Sequence, residues 1–323
     1  MTQLDDSYDV VVLGGGAAGL NAALMLARSR RSVAVIDAGA PRNAPAQGVH
    51  GLLGREGMPP LELLEIGRAE VRGYGGHVVS GEVVSVARAG DTAGAEFLVT
   101  LADGSTVSAR RILIATGLAD ELPDVPGLRE HWGHDVLHCP YCHGWEVRDQ
   151  RIAVLASSPM SVHQALLFSQ LSDDIVYLSH TAELSDEDAE KLVARGIRIV
   201  DGKVVEVLGT GRLTGVQLAD GSVVERDALV VGPRMNTRAT FLTDLGLIPE
   251  PHPSGMGDHI PADPMGRTSV PGVWIAGNAT DPSAQVGAAA AAGAMAGAQI
   301  NAELVMAETA AAVDARRTES SSV

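Results

Sequence analysis

The first 37 residues contain a strand, a glycine-rich loop, a helix and a second strand in direct succession. An apolar run at 8–13 predicts a β-strand, and the sequence GGGAAG follows it at 14–19. A helix is predicted over 20–30, and a second strand at 32–36 ends at the acidic Asp37. The glycines allow the backbone to approach a pyrophosphate at the helix N-terminus, and Asp37 can accept hydrogen bonds from a ribose. This order predicts a dinucleotide-binding unit of the α/β class.

The chain then enters a long polar loop at 41–57, and a loop of this length inside a compact fold is usually functional or disordered. A short helix is predicted at 61–72. Alternating apolar residues and an Asp-Gly turn predict a small antiparallel sheet, with strands at 77–86, 96–101 and 105–109. A buried strand ending in Thr-Gly is predicted at 111–117.

A second strand–turn–helix module is predicted to begin at 151–155. Further strands and helices are predicted to complete it, at 161–171, 175–179, 185–195, 197–201, 203–208, 213–219 and 228–231. One more strand at 273–277 precedes a Gly/Ala-rich helix from about 284 to 306. We expect 312–323 to be a disordered tail.

Length and charge restrict the class of protein. A chain of 323 residues is long enough for two domains, and its formal net charge of −16 disfavours nucleic acid and anionic membranes as partners. The longest apolar stretch, 286–300, is mostly Ala and Gly and is too short to span a bilayer. The acidic start has no signal-peptide pattern, so we expect a cytoplasmic protein.

The two cysteines of the chain lie in the segment HCPYCHGWE at 138–146. A structural zinc site commonly needs four ligands, and no further cysteine is available, so we expect no metal. A disulfide across two residues closes almost no loop and would stabilise little. A redox-active pair is the remaining interpretation. The flanking His138 and His143 can act as bases for an incoming thiol, although an imidazole that only hydrogen-bonds the backbone is the alternative for each.

Four segments together resemble the low-molecular-weight thioredoxin reductase family: GGGAAG at 14–19, ATG at 115–117, CxxC at 139–142 and IAGNATDPSAQVGAAAAAG at 275–293. The resemblance implies an α/β fold with two Rossmann-like, three-layer ββα dinucleotide-binding domains, the second inserted into the first. It implies a discontinuous FAD domain at 1–117 and 241–323 and an inserted domain at 118–240 that carries the CxxC. It also implies a homodimer.

The same resemblance assigns residues to FAD. The predicted cofactor-binding residues are Gly14, Gly15, Gly16, Ala17, Ala18, Gly19, Asp37, Ala38, Arg42, Asn43, His50, Val83, Ala115, Thr116, Gly117, Asn278, Gln285 and Val286. The family usually has Gly-Asp where this chain has Gly277-Asn278. We expect the Asn278 amide to replace that carboxylate as a partner of a ribityl hydroxyl.

The second nucleotide loop departs from the pattern of an NADPH-dependent reductase. Its turn contains Ala156, Ser157, Ser158 and Pro159 instead of glycines, and these side chains occupy space that a pyrophosphate needs. The next strand ends at 179–183, SHTAE, without the arginines that would grip a 2′-phosphate. Both departures predict that NADPH does not bind productively.

These departures make the chain similar to the dithiol oxidase branch of the family, which includes the holomycin- and gliotoxin-forming enzymes. That resemblance implies oxidation of a small dithiol, such as a dithiolopyrrolone-type natural product, through Cys139, Cys142 and FAD to O2, giving H2O2. The catalytic residues would be the two cysteines, with Cys139 the outer one, and His138 or His143 as the base. The alternatives are an NADPH- or ferredoxin-dependent reductase of a thioredoxin-like protein and a non-catalytic redox sensor.

Overall fold

The computed structural model describes residues 4–90, 96–158 and 160–321. The strands in these ranges are β1 (Ser7–Leu13), β2 (Val33–Asp37), β3 (His77–Ser80), β4 (Val83–Arg88), β5 (Phe97–Leu101), β6 (Thr106–Ile114), β7 (Leu118–Glu121), β8 (Val136–Leu137), β9 (Ile152–Leu155), β10 (Ile175–Leu178), β11 (Arg198–Val200), β12 (Val204–Leu208), β13 (Gly215–Leu218), β14 (Val223–Glu225), β15 (Ala228–Val231), β16 (Arg234–Thr237), β17 (Glu250–Pro251), β18 (Asp258–His259) and β19 (Val273–Ile275).

The α-helices in the same ranges are α1 (Ala17–Arg28), α2 (Pro60–Gly73), α3 (Pro140–His143), α4 (Met160–Phe168), α5 (Asp186–Ala194) and α6 (Val286–Ser321). Short 3₁₀ helices are found at Arg129–His131, Trp145–Val147, Thr240–Leu245 and Gly277–Ala279. No helix of the described ranges has both the length and the apolar content needed to cross a membrane.

The first sheet has the order β3-β2-β1-β6-β5-β4, and β19 also pairs with β6. The strands β3, β2, β1, β6 and β19 are parallel, whereas β4, β5 and β6 pair antiparallel. Alternate residues of β1 face opposite sides: Val10 and Val12 pack with α1 and α6, and Val11 and Leu13 pack with the antiparallel strands. A parallel sheet therefore lies between a helical layer and a β layer.

The second sheet, with order β11-β10-β9-β15-β8, is parallel throughout. One face packs on α4 and α5 through Phe168 and Leu192. The other face packs on the antiparallel β12-β13-β14 sheet through Val207 and Val216. The same three layers are thus repeated, and the expected fold class, two Rossmann-like units with the second inserted into the first, is confirmed.

The chain passes between the two units through β7 and β16, which pair antiparallel from Leu118↔Thr237 to Glu121↔Arg234. These strands lie at both ends of the inserted segment. We propose the boundaries 117/118 and 240/241 on this basis.

Three details differ from the sequence expectations. The strand predicted at 77–86 is two strands, of which β3 extends the parallel sheet instead of an antiparallel one. Residues 106–114 form one continuous strand because β6 pairs with β1 over most of its length. The helix α6 continues to Ser321, although we expected 312–323 to lack regular structure; residues 322 and 323 lie outside the described residues. The segment 307–315 contains five alanines, and Ala has the highest intrinsic helix propensity, so α6 extends through it into the more polar residues that follow.

Candidate functional site

A cavity of about 1410 Å³ extends from the first unit to the second. With the exception of Gly19, every residue predicted for the cofactor or the chemistry lines it: Gly14, Gly15, Gly16, Ala17, Ala18, Asp37, Ala38, Arg42, Asn43, His50, Val83, Ala115, Thr116, Gly117, His138, Cys139, Cys142, His143, Asn278, Gln285 and Val286. The cavity exceeds the usual volume of a drug-sized pocket, as an elongated dinucleotide requires.

The glycine loop forms a close-packed cradle at one end of this cavity. Gly14 has φ +105°, and a Cβ there would overlap the Ala115 carbonyl. Gly19 does not line the cavity, but a Cβ at this position would overlap the Gly14 carbonyl oxygen, so this glycine sets the shape of the turn. Gly16 precedes α1 and has open space where a side chain would be. The first N–H groups of α1 lack intrahelical partners and are available to a pyrophosphate, so the loop fits the diphosphate of FAD.

Asp37 is the last residue of the parallel strand β2 and lies beside the glycine loop. Its Oδ2 accepts from Arg68 at 2.9 Å, and its Oδ1 accepts from the Gly39 amide at 3.2 Å. A Cβ on Gly15 would lie 2.7 Å from the Asp37 carboxylate. The carboxylate is therefore held against the loop, where it can accept from ribose hydroxyls.

Asn278 stabilises the turn before α6, a role that was not predicted from the sequence. Its Nδ2 donates to the carbonyls of Asp281, Pro282 and Ala284, at 3.0, 3.2 and 2.9 Å. A carboxylate has no N–H and could not make these bonds. The amide thereby fixes the turn that leads into α6, and only its Oδ1 is left to accept from a ligand.

Cys139 and Cys142 form a disulfide with a Cα–Cα distance of 5.3 Å. Cys139 is the residue before α3, and Cys142 lies within this one-turn helix. Both cysteines are half-buried and line the cavity. A Cβ on Gly144 would overlap the Pro140 carbonyl and the Leu171 side chain, so a glycine is required where the CxxC segment turns against the inserted unit.

His138 is held by Gln164, which sequence reasoning did not single out. Gln164 Nε2 lies 3.0 Å from the His138 carbonyl oxygen, to which it donates, and 3.2 Å from His138 Nδ1. Burial, together with the positive charge of Arg42, lowers the pKa of His138 to about 4. A nearby Asp120 and the Val231 carbonyl oppose this shift without overcoming it. His138 is therefore neutral at physiological pH.

His143 lies in a cluster that the sequence did not predict. Its ring is edge-to-face with that of His50, with 6.5 Å between centroids. His50 Nδ1 lies 2.6 Å from Glu56 Oε1, and its Nε2 lies 3.4 Å from Glu146 Oε1. Burial lowers the pKa of His143, while the Glu146 charge opposes the shift. A neutral imidazole beside Cys142 is a suitable acceptor for a thiol proton.

The 41–57 loop joins the two units at this point. Arg42 donates to both carboxylate oxygens of Asp120, at 2.8 and 2.7 Å, and the Asp120 side chain is only 7% exposed. A Cβ on Gly133 of the inserted unit would lie 2.5 Å from Pro45 Cβ. These contacts and the His50–Glu146 approach place the loop beside the disulfide.

The Ser161 side chain fills the turn between β9 and α4, which is the second strand–helix turn of the sequence. Ser161 is fully buried, and its Oγ accepts from the backbone amides of Ser157 at 3.2 Å and Ser158 at 3.3 Å. Ser157 Oγ donates in turn to the Gly232 carbonyl at 3.1 Å. The N–H groups that a pyrophosphate would use are thereby occupied. Pro159 lies outside the described residues.

The residues that follow β10 also lack the features of a binding site for a 2′-phosphate. His180 Nδ1 accepts from the Val204 amide at 3.1 Å, and Glu183 is exposed. In the described ranges, no three His, Cys, Asp or Glu side chains lie close enough together to hold a metal ion.

A dinucleotide cradle and a disulfide that share one cavity define the class of this protein: a flavin-dependent disulfide oxidoreductase. The chain belongs to the pyridine nucleotide-disulphide oxidoreductase family, whose model matches residues 8–297. FAD is its cofactor, as expected, and the resemblance to thioredoxin reductase-like flavoproteins is confirmed.

Individual relatives support the same family. The chain is 32% identical to thioredoxin reductase sirT of Leptosphaeria maculans, over 94% of this chain and 96% of that protein. It is 30% identical to thioredoxin reductase tcpT of Claviceps purpurea (strain 20.1), over 84% and 86%. Among solved structures, HlmI is similar with a TM-score of 0.90 and 49% identity, over 97% of this chain and 98% of HlmI.

Proposed function

We propose that this protein is an FAD-dependent dithiol oxidase that closes an intramolecular disulfide in a small dithiol, such as a dithiolopyrrolone-type natural product. Electrons pass through Cys139 and Cys142 to FAD and then to O2, which becomes H2O2. The observation that carries the proposal is the closed second turn, where the Ser161 hydroxyl occupies the amides of Ser157 and Ser158.

A pyridine nucleotide would have to displace a buried hydroxyl from two backbone amides. The phosphate oxygens would accept from the freed amides, but the displaced Ser161 hydroxyl would lose both donors inside the protein, at a cost of about 1–3 kcal/mol. Side chains at Ala156, Ser157 and Ser158 also stand where bare glycine backbone would admit a diphosphate. Sulfur is therefore the favoured source of electrons. The similarity to HlmI and sirT, and the sequence resemblance to the dithiol oxidase branch, support the same conclusion.

The chemistry at the cysteines is thiol–disulfide exchange. A substrate thiolate attacks Cys139 Sγ, the Cys139–Cys142 bond breaks, and Cys142 leaves as a thiolate. The second substrate thiolate attacks the substrate sulfur of the mixed disulfide, and Cys139 leaves as a thiolate. The substrate is thus oxidised by two electrons, the cysteine pair is reduced by two electrons, and two thiol protons are released. Cys139 is assigned as the attacked sulfur from the family resemblance.

His143 is a better base for these protons than His138. The amide of Gln164 faces Nδ1 of His138, and burial disfavours its charged form, so it does not readily take a proton. His143 immediately follows Cys142 and lies beside His50, whose nitrogens approach the carboxylates of Glu56 and Glu146. A proton accepted by His143 can be stabilised by the Glu146 carboxylate, whose charge raises the pKa of this imidazole.

The glycine loop 14–19, Asp37, 115–117 and Asn278 would hold FAD in the cavity. When bound, FAD supplies a two-electron acceptor for the reduced cysteine pair and a donor for O2. The chain's own contribution is to keep the pair and the cofactor in one cavity, with the 41–57 loop placed over the junction. We further propose a homodimer.

A reductase that acts on a thioredoxin-like protein is the second candidate, because sirT and tcpT are both named thioredoxin reductases. It predicts that NADPH or a reduced iron–sulfur donor, rather than a dithiol, reduces the flavin.

The test is a stoichiometric assay with a small dithiol in air. The oxidase converts each dithiol to one disulfide, consumes one O2 and releases one H2O2. Cys142→Ser should bind FAD normally and lose flavin reduction by dithiol. Normal bleaching of the flavin in Cys142→Ser, or disulfide formation by wild type without H2O2, would contradict the proposal.

A further inference from the structure

One face of α4 lines the cavity next to the redox pair. Met160, His163, Gln164 and Leu167 follow the spacing i, i+3, i+4, i+7 and therefore lie on a single side of the helix. Gln164 is committed to His138. The other three face the same cavity as Tyr141, the residue between Pro140 and Cys142. We call Tyr141, Met160, His163 and Leu167 the recognition face.

Apart from His163, the recognition face is apolar, and part of it is exposed to solvent. Tyr141 is 66% exposed and Met160 is 37% exposed, whereas Leu167 is half-buried. Aromatic residues make up only 3% of the chain; Tyr74 and Trp145 are exposed as well, but neither of them lines the cavity as Tyr141 does. A large aromatic side chain left in water between the two reactive cysteines forgoes the free energy that its burial would release. Such a side chain is explained if a ligand covers it during the reaction.

The charged lining residues of the cavity come from a few segments of the chain. In the part of the chain that the structure describes, the lining residues from 132–167 and 232–233 include no Asp, Glu, Lys or Arg. The charged lining residues come from other segments: Asp37, Arg42, Glu82, Asp120, Arg234 and Arg238. Arg42 and Asp120 act on His138, but they are committed to each other in a two-bond ion pair. Desolvating a substrate charge against the recognition face would leave it without an opposite partner, which is costly. An uncharged body is therefore favoured at the disulfide end.

We infer that the recognition face binds the uncharged, apolar body of the dithiol substrate and presents its thiols to Cys139. This inference rests on the proposed oxidase function and adds a substrate class to it. The occupant is a small molecule because the face lies inside a cavity that also contains the disulfide. His163 makes no side-chain hydrogen bond with a described residue, so its ring is available to one polar group of that substrate.

The test compares two dithiols that share a carbon skeleton, 1,4-butanedithiol and dithiothreitol, which differ by two hydroxyls. The second-order rate constant of anaerobic flavin reduction is measured for each by stopped flow. In Tyr141→Ala and Met160→Ser, the ratio of the butanedithiol rate to the dithiothreitol rate should fall about fivefold relative to wild type. Tyr141→Phe should keep the wild-type ratio, because the ring remains. Met306→Ser, at a 68% exposed position on α6, is the matched control and should also keep it.

A second pair tests charge. Dihydrolipoamide and dihydrolipoate differ by one carboxylate, and Met160→Lys should raise the relative rate of the acid severalfold. Unchanged ratios in Tyr141→Ala, Met160→Ser and Met160→Lys would overturn the recognition face while leaving the oxidase intact. If neither dithiol reduces the wild-type flavin and NADPH does, the proposed function itself is wrong.

Discussion

The protonation state of His138 can be tested through stability. Burial among Gln164, Arg42 and the redox segment lowers the pKa of this imidazole from 6.5 to about 4 in the folded protein. In the unfolded chain the ring is in water and titrates near 6.5. Between pH 6.5 and 4, the unfolded chain thus binds a proton that the folded protein does not. The His138 contribution to stability is complete above pH 6.5 and is lost as the pH falls towards 4.

The size of this loss follows from the two pKa values. A change from 6.5 to about 4 corresponds to about 3 kcal/mol when the whole range is crossed. A His138→Gln variant keeps a hydrogen-bonding side chain but cannot titrate. Because all other groups titrate alike in both proteins, the difference between wild type and variant isolates His138.

The assay is urea unfolding of both proteins at several pH values from 7.5 to 4.5, followed by far-ultraviolet circular dichroism. The free energy of unfolding of wild type should fall by about 2–3 kcal/mol more than that of His138→Gln. Equal losses in the two proteins would show that His138 is solvated and titrates normally. His138 would then be able to take up a thiol proton as readily as His143.

Three further changes have defined outcomes. Gly19→Ala places a Cβ against the Gly14 carbonyl and should abolish FAD binding, which is measured as the ratio of flavin to protein absorbance. The control is Gly73→Ala, where a Cβ would meet no atom within 4 Å, and this variant should bind FAD normally. Asp120→Asn leaves Arg42 without its ion pair and should lower the free energy of unfolding by about 2 kcal/mol; no loss of stability would show that the pair contributes little. Ser161→Ala removes the acceptor of the Ser157 and Ser158 amides and should lower the free energy of unfolding by about 1–2 kcal/mol; unchanged stability would show that these amides do not depend on the hydroxyl.

The first dinucleotide unit was predictable because its determinants are local. The strand, glycines, helix and acid at 8–37 form β1, α1 and β2, with boundaries shifted by a few residues. The glycines are required by contacts within one turn, such as the approach of Gly19 to the Gly14 carbonyl. The direction of β3 was wrong, since the choice between a parallel and an antiparallel neighbour depends on tertiary packing.

The contacts around the disulfide were not predictable, because they join distant parts of the chain. His50 and His143 meet only through the path of the 41–57 loop, and no local pattern specifies that path. Gln164 reaches His138 from α4, where its spacing alone predicts no more than a helical face. The missing glycines of the second turn were visible in the sequence, but not the Ser161 hydroxyl that occupies its amides.

The source of the electrons is tested most directly by anaerobic stopped flow on the FAD-loaded wild-type protein, mixed separately with a small dithiol and with NADPH. Our account predicts that the dithiol bleaches the flavin band within the turnover time, and that NADPH leaves it oxidised over the same period. Fast bleaching by NADPH, with none by the dithiol, would contradict it.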